Sequence, residues 1–286
     1  MPRTRPIRPA RLDPVASLSY AARMSNFERK LPLEGIDNFR DYGGYPTASG
    51  RTIRTGVLYR SANHGTPTDA DFEAVDALAI ATVVDLRRKA ERERNPAKRP
   101  STFAGEVIHN DLGDEDEDHY HIFLRTSDLS PKAMADFLVE YYRDAPFEPR
   151  HIDLFSRYFR ALAEGSGPIL IHCAAGKDRT GILAALTHHL AGVSRDDIIA
   201  DYMLTNDEAR FARRIPLFTE YVAEISGGRR PTPEAVRTTL GVEPIYLETA
   251  LEAIEARYGS VDVYIRDVLG VDAATKALIE ARLFED

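Results

Sequence analysis

The single cysteine of the chain lies in a short segment whose residue types could carry out phosphoryl transfer. Residues 172–181 read HCAAGKDRTG and stand between an apolar run, PILIH at 168–172, and a helical pattern, ILAALTHHLAG. The thiolate form of cysteine is nucleophilic, and a helix N-terminus with neighbouring cations favours that form. Gly176 lets the loop turn so that successive N–H groups form a concave nest for an anion. The helix that follows adds its positive N-terminal end.

Several side chains of this segment have the properties that a phosphate ester requires. Cys173 would attack phosphorus at the mouth of the nest, and Arg179 offers a planar fork to two phosphate oxygens. Thr180 can donate its hydroxyl to the cysteine sulfur and so stabilise the thiolate as a leaving group. We expect His172 to anchor the loop through hydrogen bonds rather than to act as a base. The segment therefore predicts a cysteine-dependent phosphatase.

The composition is ordinary for a globular protein and narrows the classes of function. The formal net charge is -8, so no global positive field draws the chain to nucleic acid or anionic lipid. No apolar run approaches the roughly 18 residues of a membrane span, so stable membrane insertion is not expected. One cysteine allows no intramolecular disulfide, which favours a reducing, cytoplasmic setting, with secretion by a signal-independent route left open.

Hydrophobic periodicity predicts one α/β domain with a helical C-terminal portion. Strands are expected at 52–60, 81–87, 105–112 and 168–172. Helices are expected after Pro67, over 131–145 and 150–164, directly after the cysteine loop, and through about 194–284 with breaks near Gly227–Pro233 and at Gly241.

Two segments are expected to lie outside this regular structure. Residues 1–32 are rich in arginine and proline and predict a flexible basic tail, which leaves 33–286 as the phosphatase domain. Residues 113–130 contain the acidic run DEDED, which must be solvated, and are expected to form a mobile loop.

The string HCxxGxxRTG resembles the signature of the protein tyrosine phosphatase superfamily. The fuller HCAAGKDRTG resembles its bacterial PtpB-like branch of tyrosine and lipid phosphatases. The other matching segments are NFRDYGG at 38–44, YRSANHGTPTDADF at 59–72, VVDLRRKAERER at 83–94, DYMLTND at 201–207 and YGSVDVYIRDVLGV at 258–271. The resemblance implies a phosphatase-like α/β fold with a central, mostly parallel sheet flanked by helices. It also implies two chemical steps through a thiophosphoryl-cysteine intermediate, with no metal or organic cofactor.

By the same resemblance, the loop residues Ala174, Ala175, Gly176, Lys177, Asp178, Arg179 and Thr180 bind the phosphate. Lys177 would contact the phosphate or other acidic groups of the substrate. Asp178 would orient Arg179 or the substrate, the alternative being a solvated loop residue with no such role.

The general acid is expected among the aspartates. Asp111 is the first choice, because it follows the predicted strand EVIHN and the Asp-Leu pair resembles the acid-bearing loop of the family. Asp114, Asp116 and Asp178 are the alternatives. Asp85, at the end of VVDLR, is expected to brace the site.

Two further features concern the N-terminal turn and specificity. Arg40 and Asp41 in NFRDYGG could pair and fix this turn, a structural role favoured over contact with the substrate. The chain has no tryptophan and therefore no WPD tripeptide, which argues against strict specificity for phosphotyrosine.

The sequence favours hydrolysis of phosphotyrosine, with dual specificity left open. A phosphoinositide phosphatase is a second hypothesis, because Lys177 adds charge that a multiply phosphorylated headgroup would match. A catalytically silent module that binds phosphoproteins is a third, and intact Cys173, Arg179 and Thr180 argue against it. A sulfurtransferase-like persulfide carrier also uses a cysteine loop and is a further alternative. That function would not explain the RTG that ends the motif. The oligomeric state is left open.

Overall fold

The computed structural model describes residues 29–113 and 119–284. Most of the predicted tail, up to residue 28, and Asp114 and Asp116 therefore lie outside the described residues. The domain boundary at residue 33 stays a prediction.

A five-stranded sheet lies at the centre of the fold. Its strands are β1 (Arg40–Asp41), β2 (Leu58–Ser61), β3 (Thr82–Asp85), β4 (Glu106–Ile108) and β5 (Ile169–His172). Their order across the sheet is β1-β2-β5-β3-β4, in which β1 is antiparallel to β2 and the other neighbours are parallel. The predicted α/β fold with a mostly parallel central sheet is confirmed.

The register of the three central strands positions the cysteine loop. His172 at the end of β5 pairs with Ser61 of β2 on one side and with Asp85 of β3 on the other. The carboxyl ends of the three strands therefore coincide, and the loop leaves the sheet at the edge where parallel α/β sheets place their ligands.

The four predicted strands are all shorter in the structure, and two of them differ most. The segment 52–60 contributes only its end to the sheet, because Ile53 instead exchanges backbone hydrogen bonds with Tyr45 and Gly44 in an upstream turn. The segment 105–112 contributes only Glu106–Ile108.

Helices flank the sheet and account for most of the regular structure outside it in the described residues. They are α1 (Asp69–Asp76), α2 (Lys89–Arg94), α3 (His119–Thr126), α4 (Pro131–Asp144), α5 (Pro149–Glu164), α6 (Asp178–Ala191), α7 (Arg195–Met203), α8 (Glu208–Ile225), α9 (Pro233–Leu240), α10 (Pro244–Tyr258), α11 (Val261–Val263) and α12 (Ala273–Leu283). The interruptions after α8 and at Gly241 agree with the predicted breaks.

The prediction of a loop over 113–130 is wrong for residues 119–126, which form α3. Leu124 is fully buried, and Tyr120 and Phe123 pack beside it against Phe218 and Tyr221 of α8. The acidic run obscured this helix, because the apolar positions that stabilise it begin only after the charges end and are buried by a distant segment.

The two faces of the sheet are covered unequally. Alternate residues of β5 point to opposite faces, so Ile169 and Ile171 contact one cluster and Leu170 the other. The first cluster is large and is built on α5 and α6. The second is small and includes Val75 of α1 and Val83 of β3.

Candidate active site

The loop that follows β5 directs its carbonyl groups toward the surrounding structure. The carbonyl of Ala174 accepts from the Asn63 amide at 3.1 Å, and the carbonyl of Gly176 accepts from Asn38 at 2.7 Å and from Arg60 at 3.1 Å. Outward carbonyls leave the amides of the loop for the concave side, which is the geometry of an anion nest. Gly176 has φ +65°, and an added Cβ would lie 2.4 Å from the backbone of Ser61, so only glycine fits.

Cys173 lies at the base of this loop and is only 1% exposed. Its sulfur is within electrostatic range of Lys177 and Arg179, so the structure brings the predicted nucleophile and both loop cations together. The sequence analysis expected this residue at the mouth of the nest. The structure places the residue deeper, against the large core cluster.

Glu91 fixes the orientation of Arg179. Both terminal nitrogens of the guanidinium donate to the Glu91 carboxylate, one at 2.7 Å, and Nη1 also donates to the carbonyl of Leu86 at 3.2 Å. Although burial opposes its ionisation, the charge of Arg179 lowers the pKa of Glu91 to about 2. These bonds use both N–H groups of Nη1 and one of Nη2. They leave the edge formed by Nε and the second Nη2 proton for a phosphate.

A buried charge network supports the loop from behind. Asp201 of α7 accepts from Arg60 at 2.7 Å and from Arg40 at 3.3 Å, and all three side chains are at most 1% exposed. Although burial disfavours its charged form, the two arginines hold the pKa of Asp201 well below its usual range. Arg40 also donates to Asn38, so the residues that bind the Gly176 carbonyl belong to this network.

The predicted pairing of Arg40 with Asp41 is therefore wrong. Asp41 instead accepts from the amides of Gly43 at 2.7 Å and Gly56 at 2.5 Å, which closes the turn after β1. Successive residues of a strand point to opposite faces, so Arg40 and Asp41 could not both face the same partner.

His172 and Asp85 join the ends of β5 and β3. Nδ1 of His172 lies 3.4 Å from the Cys173 carbonyl, and Nε2 lies 3.6 Å from Asp85. Burial lowers the pKa of His172 despite the nearby carboxylate, which favours the neutral ring. Asp85 also accepts from Arg87 at 2.7 and 2.9 Å. These contacts agree with the anchoring and bracing roles expected of the two residues.

The remaining loop side chains have partners that the sequence analysis did not predict. Lys177 is buried and donates to the carbonyls of Thr239 and Gly241 at the end of α9, the latter at 3.0 Å. Burial lowers the pKa of Lys177, and Asp178 opposes that effect. Asp178 accepts from Tyr142 at 2.9 Å, so Glu91 and not Asp178 holds Arg179. Of the two roles expected of Asp178, the orientation of Arg179 is therefore wrong.

The hydroxyl of Thr180 is buried and makes no hydrogen bond to any residue that the structure describes. The bond to the cysteine sulfur that the sequence suggests is thus not formed in this arrangement. The hydroxyl therefore keeps its hydrogen available for donation next to the loop.

Asp111 lies in a different environment from the loop residues. Its side chain is 53% exposed, and its carboxylate is paired with Arg92 of α2. Arg92 also donates to the carbonyls of Arg87 and Asn110, the latter at 3.1 Å. The candidate acid is therefore connected to α2, the helix that carries Glu91.

Arg150 is a further basic residue that the sequence analysis missed. It is 3% exposed, and its Nε and Nη2 atoms are buried without a partner among residues 29–113 and 119–284. Burial, and then repulsion by Arg179, lowers its pKa to about 10. Its position could have been noticed, because Arg150 shares the buried stripe of α5 with Leu154 and Leu162.

Two kinds of feature are absent from the described residues. Within residues 29–113 and 119–284, no group of three or more His, Cys, Asp or Glu side chains is arranged to hold a metal ion. In the same residues, no helix combines the length and the apolar character that crossing a membrane would need.

Comparisons with known proteins agree with this geometry. The model of the tyrosine phosphatase family matches residues 31–285. A protein of Cupriavidus necator that carries a tyrosine-protein phosphatase name is 36% identical over 85% of this chain and 85% of its own. The triple specificity protein phosphatase PtpB of Mycobacterium tuberculosis is 33% identical over 86% of this chain and 95% of its own. The tyrosine-protein phosphatase of Nostoc commune is 27% identical over 83% and 78%.

Proposed function

The chain belongs to the tyrosine phosphatase family and is a phosphoric monoester hydrolase, and from that premise we propose that it hydrolyses phosphotyrosine through a thiophosphoryl intermediate on Cys173. The observation that carries the proposal is the arrangement of Arg179. Glu91 fixes this guanidinium and leaves two N–H groups directed along one edge, beside a loop whose carbonyls point away from the nucleophile.

In the first step, the Cys173 thiolate attacks phosphorus and the bond to the ester oxygen breaks. Charge on the three equatorial oxygens is stabilised by the loop amides and by the free edge of Arg179, which need little reorganisation because they are already oriented. The leaving oxygen needs a proton, and Asp111 is the proposed acid. Its pairing with Arg92 must then loosen for a protonated carboxyl to form.

In the second step, water attacks the thiophosphoryl group, the sulfur–phosphorus bond breaks and inorganic phosphate leaves. Thr180 has a buried hydroxyl without a described partner and is the proposed donor to the departing thiolate. Asp111 would then act as the base toward water. Asp178 is proposed to orient the substrate, since its position next to the loop is fixed by Tyr142.

Cys173 is 1% exposed and lies at the bottom of the loop, so the groups around the loop control how a substrate reaches it. The contacts from Lys177 to the carbonyls of Thr239 and Gly241 join the loop to the end of α9. We propose that these contacts break when the substrate enters and that Lys177 then becomes available to the phosphate.

Trapping the intermediate tests this mechanism directly. Rapid acid quenching during turnover of p-nitrophenyl phosphate should leave a phosphoryl group on the peptide that contains Cys173, detected by mass spectrometry. Phosphate on a different peptide would overturn the assignment of the nucleophile. An inactive protein that still binds phosphopeptide would support the binding-module alternative instead.

The substrate class rests partly on relatives. The name of the Mycobacterium tuberculosis relative describes triple specificity, so we propose that this chain also accepts phosphoserine and phosphothreonine. Turnover of matched phosphotyrosine, phosphoserine and phosphothreonine peptides tests the point. Activity confined to the phosphotyrosine peptide would restrict the proposal.

A phosphoinositide is the second candidate substrate, and Arg150 favours it. This arginine lies within electrostatic range of Arg179 and retains two buried donors, which a second acidic group on the substrate could satisfy. Arg150→Met should therefore reduce kcat/KM for a phosphoinositide more than for a phosphotyrosine peptide, with Arg160→Met on the exposed side of α5 as the control. An equal loss on both substrates would exclude this role. The cytoplasmic location stays a prediction.

A further inference from the structure

A cavity lies behind the phosphate loop, on the face of the sheet that has the smaller apolar cluster. It has a volume of about 420 Å³, within the range of small-molecule sites. We name it the back cavity. It is bounded by the end of α1, by β3 and β5, and by the chain between residues 99 and 106. It exists because α1 has only eight residues and cannot cover the surface that α5 and α6 cover on the opposite face.

The walls of the back cavity are mostly apolar. They are formed by Val75, Ile80, Val83, Phe103 and Leu170, with three alanines beside them. Such a surface favours a ligand with a hydrocarbon or aromatic body, since burying apolar area is the main non-directional term in binding.

One part of the back cavity is polar and is formed by two imidazoles and one guanidinium. His64 and His172 line it with their ring centroids 5.4 Å apart, and Arg99 lines it from the side. Asp85 is the nearby carboxylate, and Arg87 already holds it by two side-chain hydrogen bonds. Two arginines therefore lie near one carboxylate, and burial lowers the pKa of both imidazoles, which favours their neutral form.

Arg99 is the group in this cluster that is left to bind an anion. It makes no hydrogen bond or ion pair with any residue in the described parts of the chain, and it lies 5.7 Å from the ring of Phe103. Burial lowers its pKa, with Asp85 acting in the opposite direction, so its charge is partly removed from water without a direct partner. A carboxylate could accept two parallel hydrogen bonds from it.

We propose that the back cavity binds a small organic carboxylate, with the carboxylate on Arg99 and an apolar body against β3 and β5. A single guanidinium at the wall matches a ligand with one carboxylate. Asp76 and Glu106 stand exposed at the rim and disfavour polyanions such as phosphorylated substrates. The ligand would therefore differ in class from the substrate, and the proposal does not depend on the proposed catalytic mechanism.

The effect of such a ligand would reach the phosphate loop through one residue. His172 lines the back cavity with its ring and directly precedes Cys173 in the chain. Its Nδ1 atom lies 3.4 Å from the carbonyl of Cys173. A carboxylate bound next to this ring would alter its hydrogen bonds, so we expect occupancy of the back cavity to modulate activity.

The chain offers a spectroscopic reporter because it has no tryptophan. In the full-length Phe103→Trp variant, fluorescence reports on the cavity wall alone. Octanoate, octan-1-ol and octylamine are titrated with orthovanadate present to occupy the phosphate loop. We expect octanoate to bind about tenfold or more tightly than the alcohol, the contribution of a charge-assisted hydrogen bond, and the amine to bind most weakly.

Arg99→Gln should remove the preference for octanoate over octan-1-ol, while Arg94→Gln on the exposed surface of α2 should leave it unchanged. Saturation-transfer NMR on the unsubstituted chain checks binding independently. If Arg99→Gln does not fold, Arg99→Lys replaces it and should retain part of the preference. Equal binding of acid and alcohol, an equal loss in both glutamine variants, or failure of octanoate to bind while orthovanadate is present would overturn the proposal.

Discussion

The two charged groups proposed for catalysis are held by neighbouring residues of one short helix, but in contrasting environments. Glu91 of α2 binds Arg179 with both carboxylate oxygens, and the two side chains are 22% and 15% exposed. Arg92, the next residue, binds Asp111, which is 53% exposed. The same six-residue helix thus supports a fixed site on one side and a more exposed site on the other.

This difference matches the chemistry that each group is proposed to perform. Arg179 must keep one charge state and one orientation while charge develops on the phosphate, so a mostly shielded partner that accepts hydrogen bonds with both oxygens suits it. A general acid must exchange a proton with the leaving group and regain it between cycles, so contact with solvent suits Asp111. Substitutions of these groups and of their partners test whether the two environments serve these two roles.

Removing the nucleophile should have the largest effect. Cys173→Ser should reduce kcat by on the order of 10⁴-fold or more, because a neutral hydroxyl replaces a thiolate in the attacking position. Steady-state hydrolysis of p-nitrophenyl phosphate measures this. Binding of a phosphopeptide, followed by calorimetry, should persist because the loop amides and Arg179 remain. Substantial residual hydrolysis would contradict the assignment of Cys173 as the nucleophile, and with it the roles proposed for Arg179 and Asp111.

Removing the proposed acid should produce an effect that depends on the leaving group. Asp111→Asn should reduce kcat by about 10²- to 10⁴-fold for phenyl phosphate but far less for p-nitrophenyl phosphate, whose leaving group needs little protonation. Asp114→Asn, Asp116→Asn and Asp178→Asn are the matched alternatives. If one of these shows the dependence on the leaving group and Asp111→Asn does not, the proton comes from that residue.

Freeing Arg179 should reduce activity without removing any group that contacts the substrate. Glu91→Gln loses the ion pair that orients the guanidinium, and misplacement of this kind costs about 10²-fold in kcat. Glu93→Gln, two residues further along α2, provides the control for charge and position. Equal losses in the two variants would show that the ion pair does not orient Arg179. Melting temperatures of both proteins exclude unfolding as the cause.

The network behind the loop should affect stability more than rate. Asp201→Asn leaves Arg40 and Arg60 buried without their carboxylate, which should lower the free energy of unfolding by about 3–5 kcal/mol. Asp196→Asn, exposed on the same helix, should change it by less than about 0.5 kcal/mol. Urea denaturation measures both values, and similar values for the two would contradict the assigned role.

The same carboxylate predicts how stability depends on pH. The pKa of Asp201 is lower in the folded protein than its ordinary value of 3.8, so its contribution is fully present above that value. The contribution is lost progressively as the pH falls below about 4, toward the lower folded pKa. In Asp201→Asn, this part of the acid destabilisation should be absent, and urea denaturation across the acidic range measures it.

The class of fold could be predicted from the sequence, and so could the strand, loop and helix that surround the proposed nucleophile. These depend on local information: an apolar strand, a glycine with positive φ and a helix N-terminus must follow one another directly, and PILIHCAAGKDRTG supplies them in fourteen consecutive residues. The helical breaks after α8 and at Gly241 were predictable for the same reason, because proline and glycine act on the backbone next to them.

Tertiary structure decided which charges meet. Arg179 lies 88 positions from Glu91, and Arg40 lies 161 from Asp201, so no pattern of spacing could identify either pair among 82 charged side chains. Helix α3 depends in the same way on burial against α8. Long-range pairing is set by the register of the sheet and the packing of the helices, because the free energy of a buried ion pair depends on desolvation and geometry that exist only in the folded chain.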